Sequence, residues 1–243
     1  VVAYARLALP EHALFNRLWR PDFEMMGRVF RLGWPIGLTT LSEVGLFSAT
    51  AVMMGWLGTI PLAAHGIALQ LASITFMVHL GLANVATIRS GNAWGRGDVP
   101  HMVRGAQTVL FMSLFMALST IVLFLMLPEP LISLFMKSDE PARADILTVG
   151  VVLLAMAALF QLVDGAQVVA LGLLRGVQDA RVPMVLAAVS YWVIGMPCSY
   201  VLGFVLGWEG VGVWLGLVVG LSAAGIALMW RFWRVIVPRL TVG

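Results

Sequence analysis

Six long apolar stretches, separated by short polar links, constrain this sequence more than anything else in it. They run at about 32–57, 62–88, 102–127, 146–174, 182–206 and 211–230. Each is long enough for an α-helix to cross a hydrocarbon core of about 30 Å. Only 11% of the 243 residues are charged, 60% are hydrophobic, and the mean hydropathy is +0.96. Soluble chains carry about 25% charged residues, so a soluble fold would have to expose a largely apolar surface. The expectation is an all-α, polytopic membrane protein built as a six-helix transmembrane bundle.

The charges test that count. Of the 15 basic residues 14 are arginine, and with six spans 13 of the 15 fall on one side of the membrane. They are Arg6, Arg17, Arg20, Arg28 and Arg31 before the first span, then Arg89, Arg96 and Arg104, then Arg175 and Arg181, and finally Arg231, Arg234 and Arg239. The other side holds Lys137 and Arg143 among Glu129, Asp139, Glu140, Asp145 and Glu209. The positive-inside rule places both ends in the cytoplasm, and the expected location is a plasma membrane. One span more or fewer would destroy this segregation. The arginines are dispersed among links rather than gathered into a nucleic-acid patch, so the expected surroundings are membrane lipid and no nucleic acid.

Three regions follow. Residues 1–31 read as a cytoplasmic linker and a short amphipathic helix capped by Asp22, residues 32–230 as the transmembrane lobe, and residues 231–243 as a basic cytoplasmic tail. Pro35 falls in the first turn of the first span under this reading, and Ser90–Asp98 reads as a polar loop. In the last span Gly212, Gly216 and Gly220 recur every four residues ahead of Ala224, a stripe suited to close helix packing.

Two carboxylates interrupt the apolar runs, Glu43 in the first span and Asp164 in the fourth. At 1.5 Å per residue, Glu43 lies roughly 17 Å from the cytoplasmic start of its span and Asp164 roughly 15 Å from the cytoplasmic end of its own. Both therefore fall near mid-membrane, where an acid needs a partner, a proton or a wet cavity. Thr39, Thr40 and Phe47 share the side of Glu43, and Gln161 and Gln167 that of Asp164. With His65 and Gln70 of the second span, Thr39, Thr40, Gln161 and Gln167 are candidate cavity-lining residues. His65 and His79 share a face, being 14 residues apart. Three uses of a buried carboxylate stay open: holding a proton, holding a hard monovalent cation, or meeting a cationic organic substrate.

Catalysis finds no support. No HExxH helix, Walker loop or GxSxG elbow is present, and the lone cysteine, Cys198, allows neither an internal disulfide nor a thiolate metal cluster. No catalytic residue and no organic cofactor are expected.

Four ordered blocks carry a resemblance: FRLGWPIGLTTLSEVGLF at 30–47, PLAAHGIALQ at 61–70, FQLVDGAQVVALGLLRGVQDARVP at 160–183 and SYWVIGMPCSYVLG at 190–203. Together they resemble the seventh, eighth, tenth and eleventh helices of the multidrug and toxic compound extrusion (MATE) transporters, in their NorM-like branch. That family has twelve helices in two six-helix lobes around a cavity that opens alternately to either side. The resemblance implies secondary active multidrug efflux, by antiport of organic, often cationic, drugs against sodium or protons. It further implies that the chain is the carboxy-terminal lobe of a longer transporter, partnered by an amino-terminal lobe. Glu43 and Asp164 fall where the branch places cation-binding acids, which makes them the candidate site for sodium. The alternatives are a flippase of lipid-linked substrates, for which basic cavity residues would be expected, and a membrane fragment with no transport of its own.

Overall fold

The computed structural model describes residues 22–137 and 139–241. The chain divides into two units, residues 1–34 and 35–243. Residues 1–21, most of the expected linker, lie outside the described part. In the first unit Asp22 is the helix cap expected of it: its Oδ1 accepts the Met25 amide at 3.0 Å. One turn on, the Arg28 guanidinium pairs with Glu24 at 2.5 Å.

Among the described residues six helices are long and apolar enough to cross a membrane, and they are joined by short links. The first, α1, runs over Phe23–Leu57. The short amphipathic helix expected before Leu32 is the beginning of this element, and Pro35 lies in its interior rather than in its first turn. Nothing between Asp22 and Leu57 stops a helix except that proline, which removes only one donor. Membrane helices tolerate the loss where other groups satisfy the backbone. Gly58, at φ 128°, then turns the chain into α2, Thr59–Gly95.

α2 also corrects the sequence reading. The polar loop expected over Ser90–Asp98 is helical as far as Gly95. A tertiary contact anchors its start: Ser90 Oγ donates to the Leu173 carbonyl of a neighbouring helix at 3.2 Å. Asp98 caps α3, Val99–Met126, by accepting the His101 amide at 3.0 Å. The short α4, Pro128–Ser133, precedes α5, Arg143–Gly176.

The fifth span starts as α6, Arg181–Val189. It continues through a wide π turn, Ser190–Gly195, then α7, Met196–Tyr200, and a second π turn, Val201–Val205. Pro197 lacks the N–H that a regular helix would use, and the wide turns beside it absorb the misfit. The sixth span is α8, Glu209–Arg231. Residues expected to begin a basic tail stay helical, through a π turn at Phe232–Ile236 and α9, Val237–Thr241. Arg231 Nε meets Asp179 at 2.6 Å and ties the link before α6 to the end of α8.

α5 is the central element. Every residue from Gln167 to Leu174 is buried, as befits a helix enclosed on all sides. Its glycines set the distance to α2. A Cβ on Gly172 would collide with the Ala83 carbonyl, and one on Gly176 with Ser90. Thr87 Oγ1 in turn donates to the Gly172 carbonyl at 2.9 Å. The Gly212–Gly216–Gly220 stripe works the same way on α8. Added Cβ atoms there would strike the backbone of Leu202, Ser199 and Gly195 respectively. Large apolar side chains such as Met77, Phe111, Phe115, Val193 and Ile226 cover the outside, where lipid replaces water as the contact.

Candidate functional site

Glu43 and Asp164, 121 positions apart in the sequence, line one cavity of ≈ 370 Å³ between α1, α2 and α5. Helical spacing explains the wall. From α1 come Glu43, Val44, Phe47, Ser48 and Ala51, from α2 Leu69, Ala72, Ser73 and Phe76, and from α5 Phe160 and Asp164. Each set repeats at three- and four-residue intervals, so each is one face of its helix. The edge of Phe47 meets Phe160, with ring centroids 5.8 Å apart at 74°, and this pair closes one side of the cavity.

The two acids differ in setting. Asp164 is only 3% exposed, and its Oδ1 has no hydrogen-bond partner among the described residues. Glu43 is half-buried. Hydroxyl protons near them are already committed. Ser48 Oγ donates to the Val44 carbonyl at 2.9 Å and Ser73 Oγ to the Leu69 carbonyl at 2.8 Å. Both hydroxyl oxygens therefore keep lone pairs and offer no proton. The cavity thus holds oxygen acceptors in an apolar wall, the donor set that suits a small hard cation or a shared proton. Among the described residues, no three His, Cys, Asp or Glu side chains gather as a transition-metal cluster would need.

The other candidates are placed around this cavity rather than on its wall. Gln161 is buried on α5; its amide donates to the Ala72 carbonyl at 2.7 Å and to Thr75 Oγ1. Gln167, one turn beyond Asp164, donates to the Tyr191 hydroxyl at 2.5 Å. Their side-chain oxygens, like Asp164 Oδ1, are buried without hydrogen-bond partners among the described residues. Thr39 is buried and donates to the Pro35 carbonyl at 2.9 Å, whereas Thr40 and Gln70 are exposed. His65 is buried edge-on against Trp214 with centroids 5.6 Å apart, and neither ring nitrogen has a hydrogen-bond partner among the described residues. His79, its companion in the sequence, bonds Ser113 Oγ at 2.9 Å and rests against Gly165, where a Cβ would come within 2.6 Å of Nδ1.

Sequence reading missed Ser48, Ser73, Phe76 and Phe160 as wall residues. Their signal was present in Ser48 as the i+5 companion of Glu43, in Ser73 and Phe76 on the Leu69–Phe76 face, and in Phe160 as the i−4 neighbour of Asp164. Nothing local showed that these three faces meet.

A family model, MatE, matches residues 35–201. The chain belongs to the MATE family. Its MATE relatives include the probable multidrug resistance protein NorM of Rhizobium meliloti (strain 1021), 46% identical over 223 residues, which cover 92% of this chain and 48% of that protein. The crystal structure of MATE in the straight conformation superimposes with a TM-score of 0.82 at 17% identity, over 100% of this chain and 54% of that one. The outward-facing conformation of a multidrug resistance MATE family transporter of the MOP superfamily gives 0.79 at 19% identity, over 94% and 50%. At such identities the structures establish the fold. The chain spans about half the length of the MATE relatives it matches. Its six-span bundle is consistent with one lobe of a larger MATE fold, in a family of transporters rather than enzymes.

Proposed function

We propose that this chain is the carboxy-terminal lobe of a secondary active multidrug antiporter. It would exchange organic, often cationic, compounds against sodium or protons across a bacterial inner membrane, with both ends of the segment cytoplasmic. The observation that carries the reading is the pairing of Glu43 with Asp164 on the wall of one apolar cavity, where Asp164 also keeps a buried oxygen with no hydrogen-bond partner among the described residues. An unpaired buried carboxylate has a high free energy. Binding a cation or proton relieves it, so the site's occupancy is a source of conformational bias. Identity of 46% to a probable multidrug resistance protein supports the drug-efflux part.

In this reading Glu43 and Asp164 bind the coupling ion, and Ser48 and Ser73 supply further oxygens. α1 contributes one wall and α2 with α5 the other, so a shift of α1 would change the ion's surroundings. Coupling requires that the ion bind one conformation more tightly than the other. An amino-terminal lobe would supply the rest of the drug cavity and the second moving body.

The test is ethidium export from vesicles that contain the complete transporter, under imposed sodium or proton gradients. Glu43→Gln and Asp164→Asn are each expected to abolish gradient-driven export while leaving the protein in the membrane. Undiminished coupling in both variants would exclude them from the ion site.

A further inference from the structure

A second concave site lies away from the acidic cavity, on the outer surface between α2 and α3. It is a groove of ≈ 420 Å³ lined by Val85, Arg89, His101, Arg104, Gly105, Thr108, Val109 and Met112. Its polarity is opposite to that of the first: two guanidinium groups and an imidazole, with no carboxylate on the wall.

The arginines are held in place but not neutralised. The Arg89 side chain leans across to α3, where its Nε lies 3.5 Å from the position a Cβ on Gly105 would occupy. Its Nη2 donates to His101 Nε2 at 3.1 Å. Arg104 Nε donates to the Pro100 carbonyl at 3.4 Å, which leaves its terminal nitrogens uncommitted. Among the described residues neither arginine pairs with an acid, whereas Arg28 and Arg231 do. Asp98 is near in sequence, but its carboxylate is engaged by the His101 amide at the start of α3.

Depth supplies the second half of the argument. Arg89 is six residues before the end of α2 and Arg104 five residues after the start of α3. Arg89 directly follows the apolar run 62–88, and Arg104 lies near the start of the run 102–127, so both sit where the apolar length of each helix gives way to polar residues, the place of headgroups at a bilayer surface. Val85, Val109 and Met112 continue the groove further along the same helices, towards the hydrocarbon. Cationic groups at the rim and an apolar trough beneath them match a phospholipid with its phosphate up and one acyl chain down.

The geometry points to this groove as a binding site for the phosphate headgroup of an anionic phospholipid, with Arg89 and Arg104 as its ligands. His101 orients Arg89, and Gly105 gives it room. The site reads a charged lipid at the protein's edge and is separate from the ion cavity between α1, α2 and α5.

The test is titration of the purified 243-residue chain in detergent with phosphatidylglycerol or phosphatidylcholine, the bound lipid being counted by native mass spectrometry. Phosphatidylglycerol is expected to bind selectively, and the Arg89→Ala, Arg104→Ala double variant to bind it roughly 30-fold more weakly, from about 1 kcal/mol per arginine. Arg96→Ala with Arg181→Ala removes the same charge outside the groove and is expected to change affinity less than about twofold. Equal losses in the two double variants would mean a diffuse basic surface and overturn the assignment, as would equal binding of the two lipids. Inorganic phosphate at millimolar concentration is expected to leave the lipid bound; full displacement would make the site a free-anion site and refute the lipid. Should the groove variant not fold, a photoactivatable phosphatidylglycerol on the unaltered chain decides the matter. Crosslinks within 85–112 support the site, and crosslinks confined elsewhere refute it.

Discussion

α5 meets its neighbours in two unlike ways. Towards α2 it presents Gly165, Gly172 and Gly176, and the two helices approach until a single added carbon would strike backbone or a buried side chain. Towards α1 it presents Phe160 and Asp164, and there the helices stand apart around a cavity. The first contact has no spare volume, while the second keeps spare volume and, among the described residues, a buried acid oxygen without a hydrogen-bond partner. In lipid, association between helices depends on close van der Waals fit and hydrogen bonds more than on hydrophobic burial. The glycine face is therefore where stability is concentrated, and the α1 face is where the structure can change at low cost.

The comparison breaks most sharply at Gly172. Gly172→Leu would drive a side chain into the Ala83 backbone and is expected to cost at least about 3 kcal/mol. Thermal unfolding in detergent should show this as loss of a folded, monodisperse species. A stable Gly172→Leu protein would mean that α2 and α5 can separate freely. Asp164→Asn probes the other face with the reverse profile. Thermal stability should stay within about 1 kcal/mol, because no hydrogen bond to Oδ1 is lost. Cation-driven export by the complete transporter should nevertheless fall at least about tenfold, which corresponds to about 1.4 kcal/mol of lost ion binding.

Smaller effects sharpen the boundary between the faces. Tyr191→Phe removes the acceptor of the Gln167 amide at 2.5 Å and leaves a buried donor unpaired, for an expected loss of about 1–3 kcal/mol in the same unfolding assay. A loss of transport without a loss of stability would instead assign the Tyr191 hydroxyl to the ion site. Smallest of all is Gly66→Ala. Nothing lies within 4 Å of a Cβ there, so the change should be neutral or stabilise by up to about 1 kcal/mol through helix propensity. Marked destabilisation would show that Gly66 faces a surface this chain does not itself contain.

Much of this was readable from residue order. The six spans follow from run length and from the segregation of arginines, since a backbone in hydrocarbon has few ways to satisfy its hydrogen bonds. The Asp22 cap and the Gly212–Gly216–Gly220 stripe were visible because both are local patterns. The extent of α1 and the helical state of Ser90–Gly95 were not. A proline and a cluster of polar residues normally mark an end or a loop, but here Pro35 removes only one donor from a helix that continues, and Ser90 is bonded to the Leu173 carbonyl of α5. Gly165, Gly172 and Gly176 are spaced by seven and four residues, which places them on one face, but glycine is common enough in membrane helices to hide the pattern.

The sequence by itself determined that this chain crosses the membrane six times and that two acids sit at similar depth within it. Each is a property of one helix at a time: apolar length, charge at its ends, position along its axis. Tertiary structure decided which faces meet. It brought Glu43, Ser48, Ser73 and Asp164 around one cavity, left Thr40 and Gln70 outside it, and laid Arg89 across Gly105 to make a basic groove at the rim. Rotation of a helix about its axis and its distance from a neighbour depend on side chains far away in sequence, and in this bundle they depend most on where glycine lets two backbones touch.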